Sequence, residues 1–254
     1  MYRHGFAYGL GAVGLGLVGA VFHDFALQWQ PVPPGVPGRA ALALLSAAIL
    51  LVLGLGLFWR RTAMAAAAGL AGVYALWVLA LHAPLVAAKP GSVAVWLGVC
   101  EISALAAGGA VLAAGPRAGV RLAGQLAFGA CALVFGLSHF VYAGFTAQMV
   151  PAWLPLPMGW ALATGAGHVA AGLAILSGIR ARLAATVEAG MMAAFVVLLH
   201  APRVIAQPAS QAEWTMLCVA LSLTGAAWAV SRSLPREGPS GALTLAFPIR
   251  QTGG

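Results

Sequence analysis

The sequence predicts an all-α protein that crosses a lipid bilayer several times. Its 254 residues are 62% hydrophobic and only 7% charged, whereas roughly 25% of the residues of a typical soluble domain are charged. The 13 basic residues are scattered singly or in pairs between long apolar runs. The net charge of +8 therefore does not predict a face for nucleic acid, and the predicted partner is the bilayer.

Proline, glycine and arginine divide the apolar sequence into eight candidate spans, each close to the 20 or so residues that cross the hydrocarbon core. The predicted spans are 6–28, 39–59, 63–83, 92–114, 120–145, 158–178, 184–201 and 211–231. We expect Pro202 to end the seventh span early, because proline cannot donate a helical hydrogen bond. Residues 233–254 are polar and predict a disordered tail.

The basic residues of alternate connectors predict the orientation of the chain. Three of them, Arg39, Lys89 and Arg203, fall on one side. The other ten fall on the opposite side: Arg3, Arg60, Arg61, Arg117, Arg121, Arg180, Arg182, Arg232, Arg236 and Arg250. Since basic residues stay on the cytoplasmic side, both termini are predicted in the cytoplasm of a bacterial-type inner membrane. Two termini on the same side require an even number of spans, which agrees with the count of eight.

The two halves of the chain share an internal repeat. The run from Leu81 to Pro84 recurs from Leu199 to Pro202, and 10 of the 19 positions over 82–100 are identical to those 118 residues later. The pattern predicts two four-helix units, residues 1–117 and 118–232. Because each unit has an even number of spans, the two would be parallel repeats.

Four histidines fall near the outer ends of the odd-numbered spans and therefore at similar depth: His23, His82, His139 and His200. A histidine near a helix C-terminus can cap free carbonyl groups and interact favourably with the helix dipole. Alternatively, imidazoles on neighbouring helices can bind a metal, a haem or a quinone headgroup. Spacing alone decides neither whether they meet nor which role they play.

Glu101 and His168 lie near the predicted midplane, where ionisable side chains are costly. The other half carries Val219 and Leu50 at the equivalent positions. Each polar residue could be neutral and bonded to a backbone carbonyl group. The alternative hypothesis is a Glu101–His168 pair that acts as a proton relay or a ligand contact.

Other polar, sulfur-bearing and aromatic residues are interpreted structurally. Glu188, one turn inside the seventh span, is expected to pair with Arg180 and Arg182 at the interface. The cysteines form no CxxC motif and are expected to be small buried hydrophobes: Cys100, Cys131 and Cys218. The tryptophans near span ends are expected to be interfacial anchors: Trp29, Trp59, Trp96, Trp153 and Trp214.

Three motifs in the second half carry a family resemblance. His139-Phe140, the run VPAWLP over 150–155 and the run LHAPR over 199–203 resemble a branch of the DoxX-like four-helix membrane proteins. The resemblance covers 120–232 well and 6–114 more weakly. It implies a four-helix inner-membrane unit, and some members of the family are named as subunits of quinone-linked sulfur oxidoreductases.

The connectors are too short to house a soluble catalytic domain, so we do not expect an enzyme acting on its own. The leading hypothesis is an accessory or electron-transfer-linked subunit with a quinone or haem among the four outer histidines and a partner redox subunit. The alternative is a structural or chaperone-like membrane protein without a cofactor. A small-solute transporter is less favoured, because the spans contain few polar residues.

Overall fold

The computed structural model describes residues 3–236, and all regular structure in this range is helical. It contains eight long helices. These are α1 Phe6–Phe22, α2 Arg39–Gly56, α3 Ala63–Ala88, α4 Val93–Ala113, α5 Ala118–Val141, α6 Pro157–Ser177, α7 Ala181–Ala206 and α8 Gln211–Ser233. A short helix over Ala143–Met149 lies between α5 and α6.

The helices confirm an all-α, polytopic membrane protein. Within the described range, the seven helices from α2 to α8 are long and apolar enough to cross a bilayer. Helix α1 is apolar but shorter, with 17 residues, so the candidate spans number seven or eight. The predicted tail begins inside α8, which continues to Ser233, and residues 237–254 of that tail lie outside the described range.

The sequence prediction is wrong about where two helices end, since the predicted spans 63–83 and 184–201 stop before Pro84 and Pro202. Helix α3 continues past Pro84 and α7 continues past Pro202, because a five-residue π-helical turn precedes each proline. In these wide turns the amide of Ala83 donates to the carbonyl of Val78, and that of Ala201 to the carbonyl of Val196. A π turn of this kind changes the local hydrogen bonding, so the helix continues through the proline.

The starts of α4 and α8 are built alike. Ser92 and Ser210 are the N-cap residues, and each hydroxyl accepts a hydrogen bond from the amide three residues later. Such caps satisfy amides that lack a partner in the first turn. The indoles of Trp96 and Trp214 then donate to the carbonyls of Pro90 and Pro208 at 2.8 and 2.9 Å.

Helix α1 ends six residues earlier than its predicted span. His23 adopts a left-handed conformation with φ 54° and terminates the helix, and a 3-10 turn follows over Leu27–Trp29. This turn carries Trp29 into the protein, where it is only 5% exposed. The prediction that Trp29 is an interfacial anchor is therefore wrong.

Helix α8 packs against both halves of the bundle. It contacts α1 and α4 from the first half and α7 from the second, while α5 packs against α4 and α6. The crossing with α1 is close, since a Cβ atom on Gly225 would lie 2.1 Å from the backbone nitrogen of Tyr8. The fully buried Tyr8 donates its hydroxyl to the carbonyl of Leu105 at 2.7 Å. These contacts join α1, α4 and α8 into one core.

Candidate functional site: a buried histidine–glutamate cluster

A carboxylate–imidazole pair joins α6 to α7. The Nδ1 atom of His168 lies 2.7 Å from Oε1 of Glu188, and the two residues are 3% and 1% exposed. A carboxylate oxygen accepts, so Nδ1–H of His168 donates. The second oxygen of Glu188 is buried without a hydrogen-bond partner in the described part of the chain.

The interfacial interpretation of Glu188 is therefore wrong. Arg182 and Glu188 are six residues apart in α7, which places their side chains about 120° apart around the helix axis. Arg182 instead donates to the backbone carbonyl of Leu234 at 3.1 Å. Glu188 faces the helix that carries His168.

His139, on the last turn of α5, completes the cluster. Its ring is T-shaped to that of His168, with 5.0 Å between the centroids. Phe195 stacks on His139 with 6.2 Å between the centroids, and Phe135 lies 5.7 Å from His168. We call His139, His168 and Glu188 the His139 cluster. It has two buried members, whereas His139 is only partly buried.

The hydrogen bonds assign the tautomers of both histidines. Nδ1 of His139 lies 3.2 Å from the carbonyl of Ala161 and 3.0 Å from the hydroxyl of Thr164. Since a carbonyl only accepts, Nδ1 of His139 carries a hydrogen, as Nδ1 of His168 does. In the neutral state each ring therefore keeps Nε2 as a hydrogen-bond acceptor. Each ring thus presents one nitrogen that can accept a hydrogen bond, and the hydrogen bond to Glu188 fixes the orientation of His168.

The structure gives Glu101 and His168 different partners. Oε2 of Glu101 accepts the indole hydrogen of Trp29 at 2.7 Å. The helices also differ in their neighbours, since α4 packs against α3, α5 and α8, whereas α6 packs against α5 and α7. Glu101 and His168 thus take part in two different interactions, Glu101 with Trp29 and His168 with Glu188.

The four outer histidines do not come together. Among residues 3–236, no hydrogen bond or ring contact joins any two of them. His23 is exposed at the end of α1, and Nε2 of the buried His82 donates to the carbonyl of Trp29 at 3.1 Å. His200 is 9% exposed, and its Nδ1 has no partner in the described range. Of these four, His139 alone contacts another histidine in the described range, namely His168.

The donor set does not fit a metal centre. Within the described residues, no three His, Cys, Asp or Glu side chains are placed to hold a metal ion. The direct ring contact between His139 and His168 leaves no room for a haem macrocycle between them. A quinone or quinol headgroup needs only hydrogen-bonding groups beside an apolar surface, and His139 with Phe195 supplies these.

Sequence reasoning missed Glu188, although a signal was present. His168 lies nine residues before the end of α6, and Glu188 lies seven residues after the start of α7. A short turn joins these antiparallel helices, so the two residues lie at nearly the same depth. Equal depth on consecutive helices, rather than proximity along one helix, identifies the pair.

Comparison with known proteins relates this site to one family. Residues 120–201 match DoxX. The DoxX segment covers about a third of the chain and includes all three members of the His139 cluster, and the match does not extend into the first half. No curated protein and no solved structure matches the chain.

Proposed function

We propose that this protein is an accessory membrane subunit of an electron-transfer-linked complex, and that its His139 cluster binds a quinol headgroup and accepts its protons. The observation that carries the proposal is the buried His168–Glu188 pair with His139 beside it. Ionisable side chains inside membranes are rare, and chains of acidic residues and histidines there form proton relays.

The proposed chemistry follows from the hydrogen bonds of the cluster. A bound quinol supplies two electrons, which pass to the partner redox subunit, and two protons. Nε2 of His139 and of His168 are the acceptors, since both Nδ1 atoms are occupied as donors. Glu188 holds His168 in this tautomer and offsets the positive charge that the ring gains.

His139 is the proposed entry point. It is the partly buried member, and the neighbouring Phe140 is 42% exposed on the outside of the bundle. A lipid-soluble quinol would approach from this side and meet His139 before His168. The ring contact between the histidines then offers a short path for the proton toward Glu188.

The chain organisation proposed with this function is two four-helix units, residues 1–117 and 118–232, in an inner membrane with both termini in the cytoplasm. The wide turns, serine caps and Trp–Pro hydrogen bonds at matching positions of the two halves support it. The proposed site belongs to the second unit alone. Leu50 and Leu70 stand 118 residues before His168 and Glu188, and both are buried.

A structural role without a cofactor is the second candidate. The same observation favours it, because the His168–Glu188 bond would also join α6 to α7 in a chain that binds nothing. The two candidate functions make different predictions for His139. Its ring is partly exposed, so replacing it should weaken the binding of a ligand more than it disturbs the packing of the helices.

The test is quinone binding by the purified protein. Tryptophan fluorescence is quenched when a short-chain quinone binds, and the chain has eight tryptophans. We expect saturable binding by the wild type and at least tenfold weaker binding by His139→Phe, which keeps an aromatic ring. His23→Ala, at an exposed histidine, is the matched control and should bind as the wild type does. Absence of saturable binding, together with absence of quinone in lipid extracts of the wild type, would leave the structural role.

A further inference from the structure

Helices α4 and α5 form an antiparallel seam between the two halves. The turn between Ala113 and Ala118 connects them directly. Their register is set at Gly124, where a Cβ atom would lie 3.0 Å from the carbonyl oxygen of Ala107 and 2.7 Å from a methyl group of Val111. The absence of a side chain at Gly124 lets the two backbones approach closely.

The same register brings two cysteines face to face. Seven residues make almost two full turns of an α-helix, so they return to the same face. Counting seven residues from Gly124 along α5 reaches Cys131, and counting seven back from Ala107 along α4 reaches Cys100. Both thiols are buried, at 5% and 8% exposure. Cys100 and Cys131 both belong to the same cluster of buried core residues.

The third cysteine provides the contrast. Cys218 on α8 is also buried and free, but it packs against Gly14 of α1, where a Cβ atom would lie 2.5 Å from its sulfur. The expectation that all three cysteines are buried is confirmed. Burial alone therefore does not distinguish Cys100 and Cys131, whereas their opposed positions do.

We infer that Cys100 and Cys131 are a redox-active dithiol that a lipid-soluble quinone converts to a disulfide across the α4–α5 seam. Both S–H bonds break and one S–S bond forms. The electron pair and the two protons pass to the quinone, which becomes a hydroquinone. The apolar location excludes charged, water-soluble oxidants and admits an oxidant that dissolves in the bilayer.

A disulfide needs Cα atoms about 4.4–6.8 Å apart. The contact of Gly124 with the backbone of Ala107, two turns away, brings the two helices close together at this seam. The product would covalently tie the last helix of the first half to the first helix of the second. This inference does not depend on the His139 cluster, since Cys131 precedes His139 by eight residues, or about 12 Å along α5.

The experiment counts free thiols in the full-length protein. Protein in lipid nanodiscs is incubated with a fully substituted short-chain ubiquinone, whose ring has no free position for thiol addition. It is then denatured and labelled with a polyethylene-glycol maleimide, so that each free thiol adds one gel shift. The sequence contains three cysteines. We expect the number of labelled thiols to fall from three to one, with one hydroquinone formed per chain, and dithiothreitol to restore all three.

Matched variants separate this outcome from other reactions. Cys218→Ser should fall from two labelled thiols to none, whereas Cys100→Ser should keep two. His139→Phe should still lose two thiols, which distinguishes this inference from the proposed quinol site. Three labelled thiols in oxidised wild type, or an equal loss of thiols in Cys100→Ser, would overturn the inference.

Discussion

His168 and Glu188 hydrogen-bond each other in the interior of the α6–α7 pair, at 2.7 Å between Nδ1 and Oε1. In the first half, the positions 118 residues earlier carry Leu50 and Leu70, which are 2% and 0% exposed. The chain therefore offers an apolar replacement for this polar pair that already packs in a similar setting.

The first prediction concerns that replacement. His168→Leu and Glu188→Leu should each destabilise the protein by about 3–5 kcal/mol, because each leaves a buried ionisable group without its partner. The double variant should recover most of this loss, since apolar side chains of similar volume often replace a buried ion pair at little cost. Unfolding of the four proteins in one detergent measures the coupling. If the double variant lost as much stability as the two single variants together, the hydrogen bond would contribute nothing to the stability of the protein.

Glu101 supplies the second prediction. Glu101→Val should cost about 1–3 kcal/mol, because the indole hydrogen of the buried Trp29 loses its acceptor. Glu101→Gln keeps an oxygen that can accept, and should remain within about 1 kcal/mol of the wild type. Thermal unfolding in detergent provides the measurement. A Glu101→Gln variant as unstable as Glu101→Val would mean that the negative charge, and not the acceptor, is what the site needs.

The third prediction tests the crossing of α1 and α8. Gly225→Ala should destabilise the protein by about 1–3 kcal/mol, because the added methyl group would overlap the backbone of Tyr8 and force the helices apart. Gly190→Ala is the control. Its Cβ atom would meet nothing within 4 Å, so the better helix propensity of alanine should stabilise by roughly 0.5–1 kcal/mol. Equal melting temperatures for the two variants would contradict the close crossing.

The proposed orientation gives the fourth prediction. In intact cells, a membrane-impermeant maleimide should label Lys89→Cys from outside and leave Arg117→Cys unlabelled until the membrane is opened. The three native cysteines are buried and give little background. Labelling of Arg117→Cys in intact cells would reverse the proposed topology.

Apolar run length made the helices predictable. The structure places helices in all eight predicted spans, since a run of about 20 apolar residues has few alternatives in a bilayer. The ends were less predictable where local geometry intervened. A left-handed residue at His23 shortens α1, and wide turns extend α3 and α7 through their prolines.

The contacts of the candidate site could not be predicted from the composition of the chain or from the helical periodicity of its apolar residues. Helical periodicity tells which residues share a face, but not which helix that face meets. His139 and His168 are 29 residues apart on antiparallel helices, and Glu188 is on a third helix. The sequence placed His168 near the midplane and His139 near a span end. It could not show that both would meet at one level against Phe195.

The wide turns of α3 and α7 also correct the phase of these helices. In a continuous α-helix, eight residues rotate a side chain by about 800°, which leaves it about 80° out of line. Met192 and His200 are eight residues apart, yet both are buried on the inner face of α7. The π turn between them absorbs one residue and removes about 100° of rotation. Tyr74 and His82 show the same correction in α3. Deleting one residue from either turn should therefore restore a regular α-helix, since seven residues rotate a side chain by about 700° and the histidine would stay on the inner face.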